Sequence, residues 1–115
     1  MTAPTVDAVT LRQVIDSGRA PRLIDVRTPA EFEAAYIPGS HNVPLDLLHE
    51  HRAEIAQHLD DDVIVVCRSG KRAVTAQRVL REFGLAKVYV LDGGILAWQD
   101  QGFAVTQLTD ARPAK

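Results

Sequence analysis

Cys67 is the only cysteine in the chain, and it is followed directly by Arg68-Ser69-Gly70-Lys71-Arg72. A thiol acts as a nucleophile only after losing its proton, so its neighbours decide its chemistry. Arg68, Ser69 and Gly70 suit a tight turn whose backbone N–H groups point inward. Such a nest, with the positive end of a following helix, favours a negative group. Three cations within five residues add to that field. Helix amino termini and cationic neighbours bring thiols from about 8.5 down to roughly 3.5–7.5, so the pattern predicts a thiolate at neutral pH. The plainer alternative is a small buried residue ending a strand. The apolar run Val63–Val66 before Cys67 and the basic stretch after it favour the nucleophile.

Spacing separates two chemistries. Cysteine-dependent phosphatases carry Cys-x5-Arg, a ring of seven positions that encloses a tetrahedral phosphate. Here Arg72 follows Cys67 with four residues between them, so the loop has six positions. The smaller ring better fits a single sulfur atom carried on the cysteine. A phosphatase or arsenate reductase is therefore the weaker of the two enzyme readings.

Other polar residues carry less. Asp25 ends an apolar run, and Arg27 follows two positions later on the same face. A buried charge needs a partner, so the two are read as a supporting pair rather than as catalytic groups. His49, His51 and His58 are read as a solvated helix face, because no carboxylate motif completes a metal ligand set. His41, beside Ile37-Pro38-Gly39, is read as a surface turn residue. Asp92-Gly93-Gly94 lacks the lysine and spacing of a phosphate loop and is read as a turn. Trp98 is read as a core anchor.

The elements that must position Cys67 follow from hydrophobic pattern. Leu23–Val26, Val63–Val66 and Val88–Leu91 are short, nearly continuous apolar runs, as expected of parallel strands covered on both faces. Val43 marks another short strand and Val6–Val9 a weak edge strand. Thr10 and Gln13 form a capping-box pattern for a helix with Leu11, Val14 and Ile15 inward, stopped by Gly18. Thr28, Pro29 and Glu31 repeat that start signal, with proline at the first helical position. Asp46–Leu59 reads as one bent helix or two short ones. Ala76, Val79, Leu80 and Phe83 mark one helix face closed by Gly84, and Gly94–Gln101 forms a last short helix. The alternation predicts an α/β fold with a mostly parallel central sheet and helices on both faces. Residues 1–108 form one domain on this reading, and 109–115 a polar, flexible tail. In such sheets ligands bind outside the carboxyl ends of the strands, which is where Cys67 falls.

Composition narrows the classes further. A chain of 115 residues fits one core. Its net charge of -2 gives no basic stripe for nucleic acid. No apolar stretch approaches the ~20 residues of a membrane helix. The amino terminus lacks a basic start followed by an apolar run, so a cytoplasmic, reducing location is expected, which suits a free thiol. One cysteine excludes an intrachain disulfide, and a monomer is the default expectation.

Three ordered stretches resemble the rhodanese family. LIDVRTPAEFEAAYIPGSHNVPL is similar to its first signature, through Asp25-Val26-Arg27, Glu33 and Ile37-Pro38-Gly39. CRSGKR resembles its six-residue active-site loop. VYVLDGGILAWQDQGFAV resembles its carboxy-terminal signature, with Asp92-Gly93-Gly94, Trp98 and Gly102. One departure is Ala35-Tyr36 where the family commonly has Gly-His, a matter of local packing. The resemblance implies a rhodanese-like fold and a sulfurtransferase needing no cofactor. On that reading Cys67 takes a sulfane sulfur from an anionic donor: thiosulfate, polysulfide or a low-molecular-weight persulfide. A thiol, cyanide or protein-cysteine acceptor then removes it. The resemblance further implies that the loop amides from Arg68 to Arg72, including Ser69 and Gly70, stabilise the persulfide. Arg68, Lys71 and Arg72 would attract the donor. Asp25 and Arg27 would brace the loop, with Glu31 or Glu33 as a partner for Arg27. No second cysteine is present to resolve the persulfide internally. A non-catalytic rhodanese-like binding module is the remaining alternative, though such domains usually lack the cysteine.

Overall fold

Four-residue apolar runs cannot reach far, so the sheet they build is compact and covered on both sides. A computed structural model describes residues 4–19, 21–57 and 61–108. His58, Leu59 and the tail 109–115 lie outside the described residues. The strands are β1 (Thr5–Val6), β2 (Arg22–Asp25), β3 (His41–Asn42), β4 (Val63–Val66) and β5 (Val88–Leu91). They form one parallel sheet in the order β1-β5-β4-β2-β3. The helices are α1 (Ala8–Asp16), α2 (Pro29–Ala34), α3 (Arg52–Ile55), α4 (Lys71–Glu82) and α5 (Gly94–Asp100). A 3-10 turn at Leu45–Leu47 precedes α3, so two short pieces stand where one bent helix was the other expectation.

Successive residues of β4 point to opposite faces, which sorts the core into two clusters. Val63, Val65 and Cys67 pack with Ile55 of α3 and with Ala73, Ala76 and Leu80 of α4. Ile64 and Val66 pack with Ala8 and Leu11 of α1 and with Ile95 and Trp98 of α5. Helices therefore cover both faces, as the continuous apolar strands require. Among the described residues, no helix is long and apolar enough to cross a membrane.

Two boundaries differ from the sequence expectation. The edge strand stops at Val6, because Asp7 caps α1 and draws the chain into the helix early. The Asp7 carboxylate accepts from the Thr10 amide at 2.7 Å, a contact that holds its pKa below the ordinary carboxylate range. Thr10 is thus a helical residue rather than the cap. At α2 the expected capping box is present: the Glu31 amide donates to Thr28 Oγ1 at 3.3 Å, and Glu31 Oε1 accepts from the Thr28 amide at 2.9 Å.

The strand order also locates the site. From β2 the chain passes through α2 to β3 on one side of the sheet, and from β4 it passes through α4 to β5 on the other. Connections that leave neighbouring strands in opposite directions open a crevice above their carboxyl ends. Asp25 and Val66 are paired in register at that point. Cys67 is the next residue.

Candidate active site

The Cys67 side chain is almost fully buried, 1% exposed, while Arg68, Ser69 and Lys71 around it are exposed. Gly70 turns the loop back with φ of 109°, a left-handed conformation that favours glycine, and caps α4. That turn aims the Gly70 N–H at the sulfur: Cys67 Sγ accepts at 2.9 Å. Among the described residues, no carbonyl or side chain accepts from the amides of Arg68, Ser69, Lys71 or Arg72. The loop thus directs one donor at the sulfur and keeps several more in reserve at the mouth of the 12-residue helix α4.

Two contacts hold this loop, and a buried ion pair lies at the end of the neighbouring strand. There Asp25 and Arg27 meet, with Arg27 Nη2 2.8 Å from Asp25 Oδ2. Asp25 Oδ1 accepts from the Arg27 amide and from Arg27 Nε, both at 3.0 Å. Arg27 Nη2 also donates to the Ala35 carbonyl at 2.6 Å. Asn42 ties in the backbone, donating to the carbonyls of Asp25 (3.0 Å) and Arg27 (2.9 Å). Every charge in this knot has a partner, which is the condition for burying it.

Beside the loop, the amino end of α5 supplies a backrest. The Ile95 amide donates to the Cys67 carbonyl at 2.8 Å, and the Leu96 amide to the Arg68 carbonyl at 3.2 Å. Both approaches depend on Gly94, where an added Cβ would overlap the carbonyl oxygens of Cys67 and Arg68. Gly93-Gly94 is therefore more than the turn its sequence suggests: it lets a helix amino terminus grip the loop. The only sequence signal of that grip is a glycine pair between a strand and a helix.

Opposite the loop, Glu31 reaches across from α2. Its carboxylate accepts from Arg72 Nη1 at 2.7 Å and Nη2 at 3.0 Å, a bidentate pair. Hydrogen bonding to Arg72 lowers the Glu31 pKa to about 2. The same contact raises that of Arg72, which also lies within electrostatic reach of Cys67 and Asp25.

A family model described as a rhodanese-like domain matches residues 7–101. The chain belongs to the rhodanese-like domain family. A sulfurtransferase from Allochromatium vinosum is 35% identical over 100 residues, covering 87% of this chain and 92% of that protein. MoeZ of Mycobacterium tuberculosis, a probable adenylyltransferase/sulfurtransferase, is 32% identical over 97 residues. That match covers 84% of this chain but only 25% of MoeZ. A human single-domain sulfurtransferase superposes with a TM-score of 0.76 at 30% identity, covering 87% of this chain and 98% of its own. The rhodanese-like domain of an Anabaena protein gives 0.83 at 25% identity, covering 99% and 86%. These relatives support sulfur transfer in general as the activity.

Against the family expectation, one residue changes partner. Neither Glu31 nor Glu33 binds Arg27: Asp25 and the Ala35 carbonyl already occupy that guanidinium. Glu33 is exposed. Glu31 instead holds Arg72, because the capping box turns its carboxylate toward α4. Arg72 is consequently not a free cation of the loop. Among the described residues, Arg68 and Lys71 have no ion-pair partner. At the family's Gly-His position, Tyr36 stacks on Phe32 with ring centroids 4.3 Å apart. Its backbone pairs with Thr106 in both directions at 2.9 Å, so the exchange is absorbed by packing. Trp98 is fully buried and donates Nε1–H to the Ala104 carbonyl at 2.9 Å, a core anchor as expected. His41 is exposed, but it lies in β3 rather than in a turn. His49 packs edge-on against Phe83, and His51 pairs with Glu54 at 2.8 Å.

Proposed function

We propose that this chain moves a sulfane sulfur from an anionic donor, thiosulfate or a persulfide-type compound, to a thiophilic acceptor through a persulfide on Cys67. The observation that carries the reading is the Gly70 N–H aimed at Cys67 Sγ at 2.9 Å from the turn that caps α4. A merely structural cysteine would account for the burial, since Cys67 belongs to the core cluster. A backbone donor aimed at sulfur adds what burial alone does not, a contact that stabilises negative charge on Sγ.

In the first half-reaction the Cys67 thiolate attacks the sulfane sulfur. The new bond joins Sγ to that sulfur, the donor's own S–S bond breaks, and its electron pair leaves with sulfite when thiosulfate is used. The persulfide anion then lies at the loop, where the uncommitted amides and the α4 dipole stabilise it. In the second half-reaction an external thiol, protein cysteine or cyanide attacks the terminal sulfur and returns the thiolate. Separate half-reactions imply ping-pong kinetics. The clamped Arg72 also weighs against a phosphatase, whose arginine must be free to hold phosphate oxygens.

One observation favours a second reading, a binding module without turnover: the 1% exposure of Cys67 leaves little room for attack. Intact mass after incubation with thiosulfate, polysulfide and glutathione persulfide separates the two. The expected result is a gain of one sulfur in the wild type and none in Cys67→Ser. A wild type that stays unmodified with all three donors would sink the carrier role.

A further inference from the structure

Glu31 neutralises Arg72, the cation that closes the Cys67 loop. Resting on the sulfurtransferase reading above, we propose that Glu31 is a positioning residue that sets donor specificity: by holding Arg72, it tunes the loop to sulfur donors of low negative charge and against dianions such as thiosulfate.

Arg68, Lys71 and Arg72 supply three positive charges to the loop, and Glu31 cancels one of them. Asp25 and Arg27 cancel each other at the end of the neighbouring strand. Two cations remain unpaired among the described residues, and both side chains are exposed, where solvent screens them. The third, the partly buried Arg72, has both terminal nitrogens on Glu31. Glu31 in turn is fixed by Thr28, whose amide and hydroxyl both donate to Oε1, at 2.9 and 3.1 Å. Swinging Arg72 toward a ligand would therefore break a bidentate pair and strand a carboxylate already committed to the cap of α2.

The chemistry makes that charge matter. With thiosulfate, a thiolate meets a dianion, and three negative charges gather at the loop as Sγ bonds to the sulfane sulfur and sulfite departs with the electron pair. With cysteamine persulfide, reacting in the form protonated on its terminal sulfur and its amine, Sγ bonds to that terminal sulfur and the donor's S–S bond breaks. The aminothiolate departs with the electron pair, and the proton stays on the transferred sulfur as Cys67-S-SH. The donor's ammonium then offsets the charge of the thiolate. A loop with its best-placed cation neutralised penalises the first reaction far more than the second.

The test is the second-order rate constant for sulfur loading of Cys67, read by intact mass in single turnovers with each donor. Glu31→Gln removes the opposing charge and should raise the thiosulfate-to-cysteamine-persulfide ratio about fivefold. Arg72→Gln leaves Glu31 unpaired beside the loop and should lower the ratio by a similar factor. The double variant has the wild-type net charge and should return the ratio to near the wild-type value, as should Glu31→Asp. A purely structural role for the pair would slow both donors alike, and a ratio that is flat across these variants overturns the proposal. If Glu31→Gln fails to fold, the fall in Arg72→Gln against the retained ratio in Glu31→Asp still decides it. A wild type that loads from neither donor overturns the sulfurtransferase reading and this inference together. A wild type that loads, with an unmoved ratio in the variants, overturns this inference alone.

Discussion

Asp25 and Arg27 are the most deeply buried charges of the site, 0% and 5% exposed, and their value lies in being complete. The carboxylate takes an amide and a guanidinium, while the guanidinium takes a carboxylate and the Ala35 carbonyl. Removing one partner from such a pair leaves the other charge buried without compensation, at a cost of roughly 3–5 kcal/mol. Asp25→Asn keeps the shape, removes the charge and turns one acceptor oxygen into a donor that faces Arg27. We expect it to lower unfolding stability by about 3 kcal/mol, read from urea midpoints at constant m-value. A variant within ~0.5 kcal/mol of the wild type would mean that water or local rearrangement compensates Arg27. If the pair supports the loop, as we propose, its loss should destabilise the whole molecule as well as slow loading of Cys67.

At the scale of elements, the loop is held by the amino terminus of α5 as much as by its own turn. Gly94→Ala would drive a methyl group into the carbonyl oxygens of Cys67 and Arg68, with backbone rather than a flexible side chain in the way. The φ of 61° there adds strain for any residue with a Cβ. The expected outcome is a loss of about 2 kcal/mol in stability and a fall in sulfur loading of about tenfold or more. Urea unfolding and the mass assay measure the two, and unchanged loading would show that α5 does not position the loop. This contact is also where reading the sequence falls short. The strands β2, β4 and β5 are legible because each is a short apolar run with no competing pattern, and α2 because its capping box and proline coincide. Cys67, Gly70 and the spacing to Arg72 are legible because they lie within six consecutive residues. Contacts between distant segments leave no such local trace. The grip of Ile95 and Leu96 on the loop and the reach of Glu31 to Arg72 join residues far apart in the chain. Asp7 is hidden as a cap for a different reason: Thr10-x-x-Gln13 offers a competing capping pattern three residues later.

For the whole molecule, the crevice above β2 and β4 is the place where connections leave the sheet in opposite directions. The pair Glu31–Arg72 spans it, joining α2 on the β2 side to α4 on the β4 side, 41 residues apart in sequence. That span ties stability to acid. Glu31 titrates at about 2 in the folded chain against an ordinary value of 4.5, chiefly because of Arg72. A group whose folded pKa is depressed contributes its full stability above the unfolded value and loses it as pH falls through the folded one. The contribution of Glu31 is therefore intact above pH 4.5 and disappears on descent toward about 2. About a third of each side chain is exposed, so solvent screening reduces the contribution to about 1 kcal/mol. Asp7, also lowered, acts in the same direction, so the acid dependence of the wild type alone does not isolate Glu31. The difference between wild type and Glu31→Gln does. Urea unfolding at about pH 6 should show the wild type more stable by ~1 kcal/mol, and by about pH 3 most of that advantage should be gone. An advantage that is constant with pH would mean that the glutamine substitution costs packing rather than charge, and that the two sides of the crevice are not joined by this ion pair.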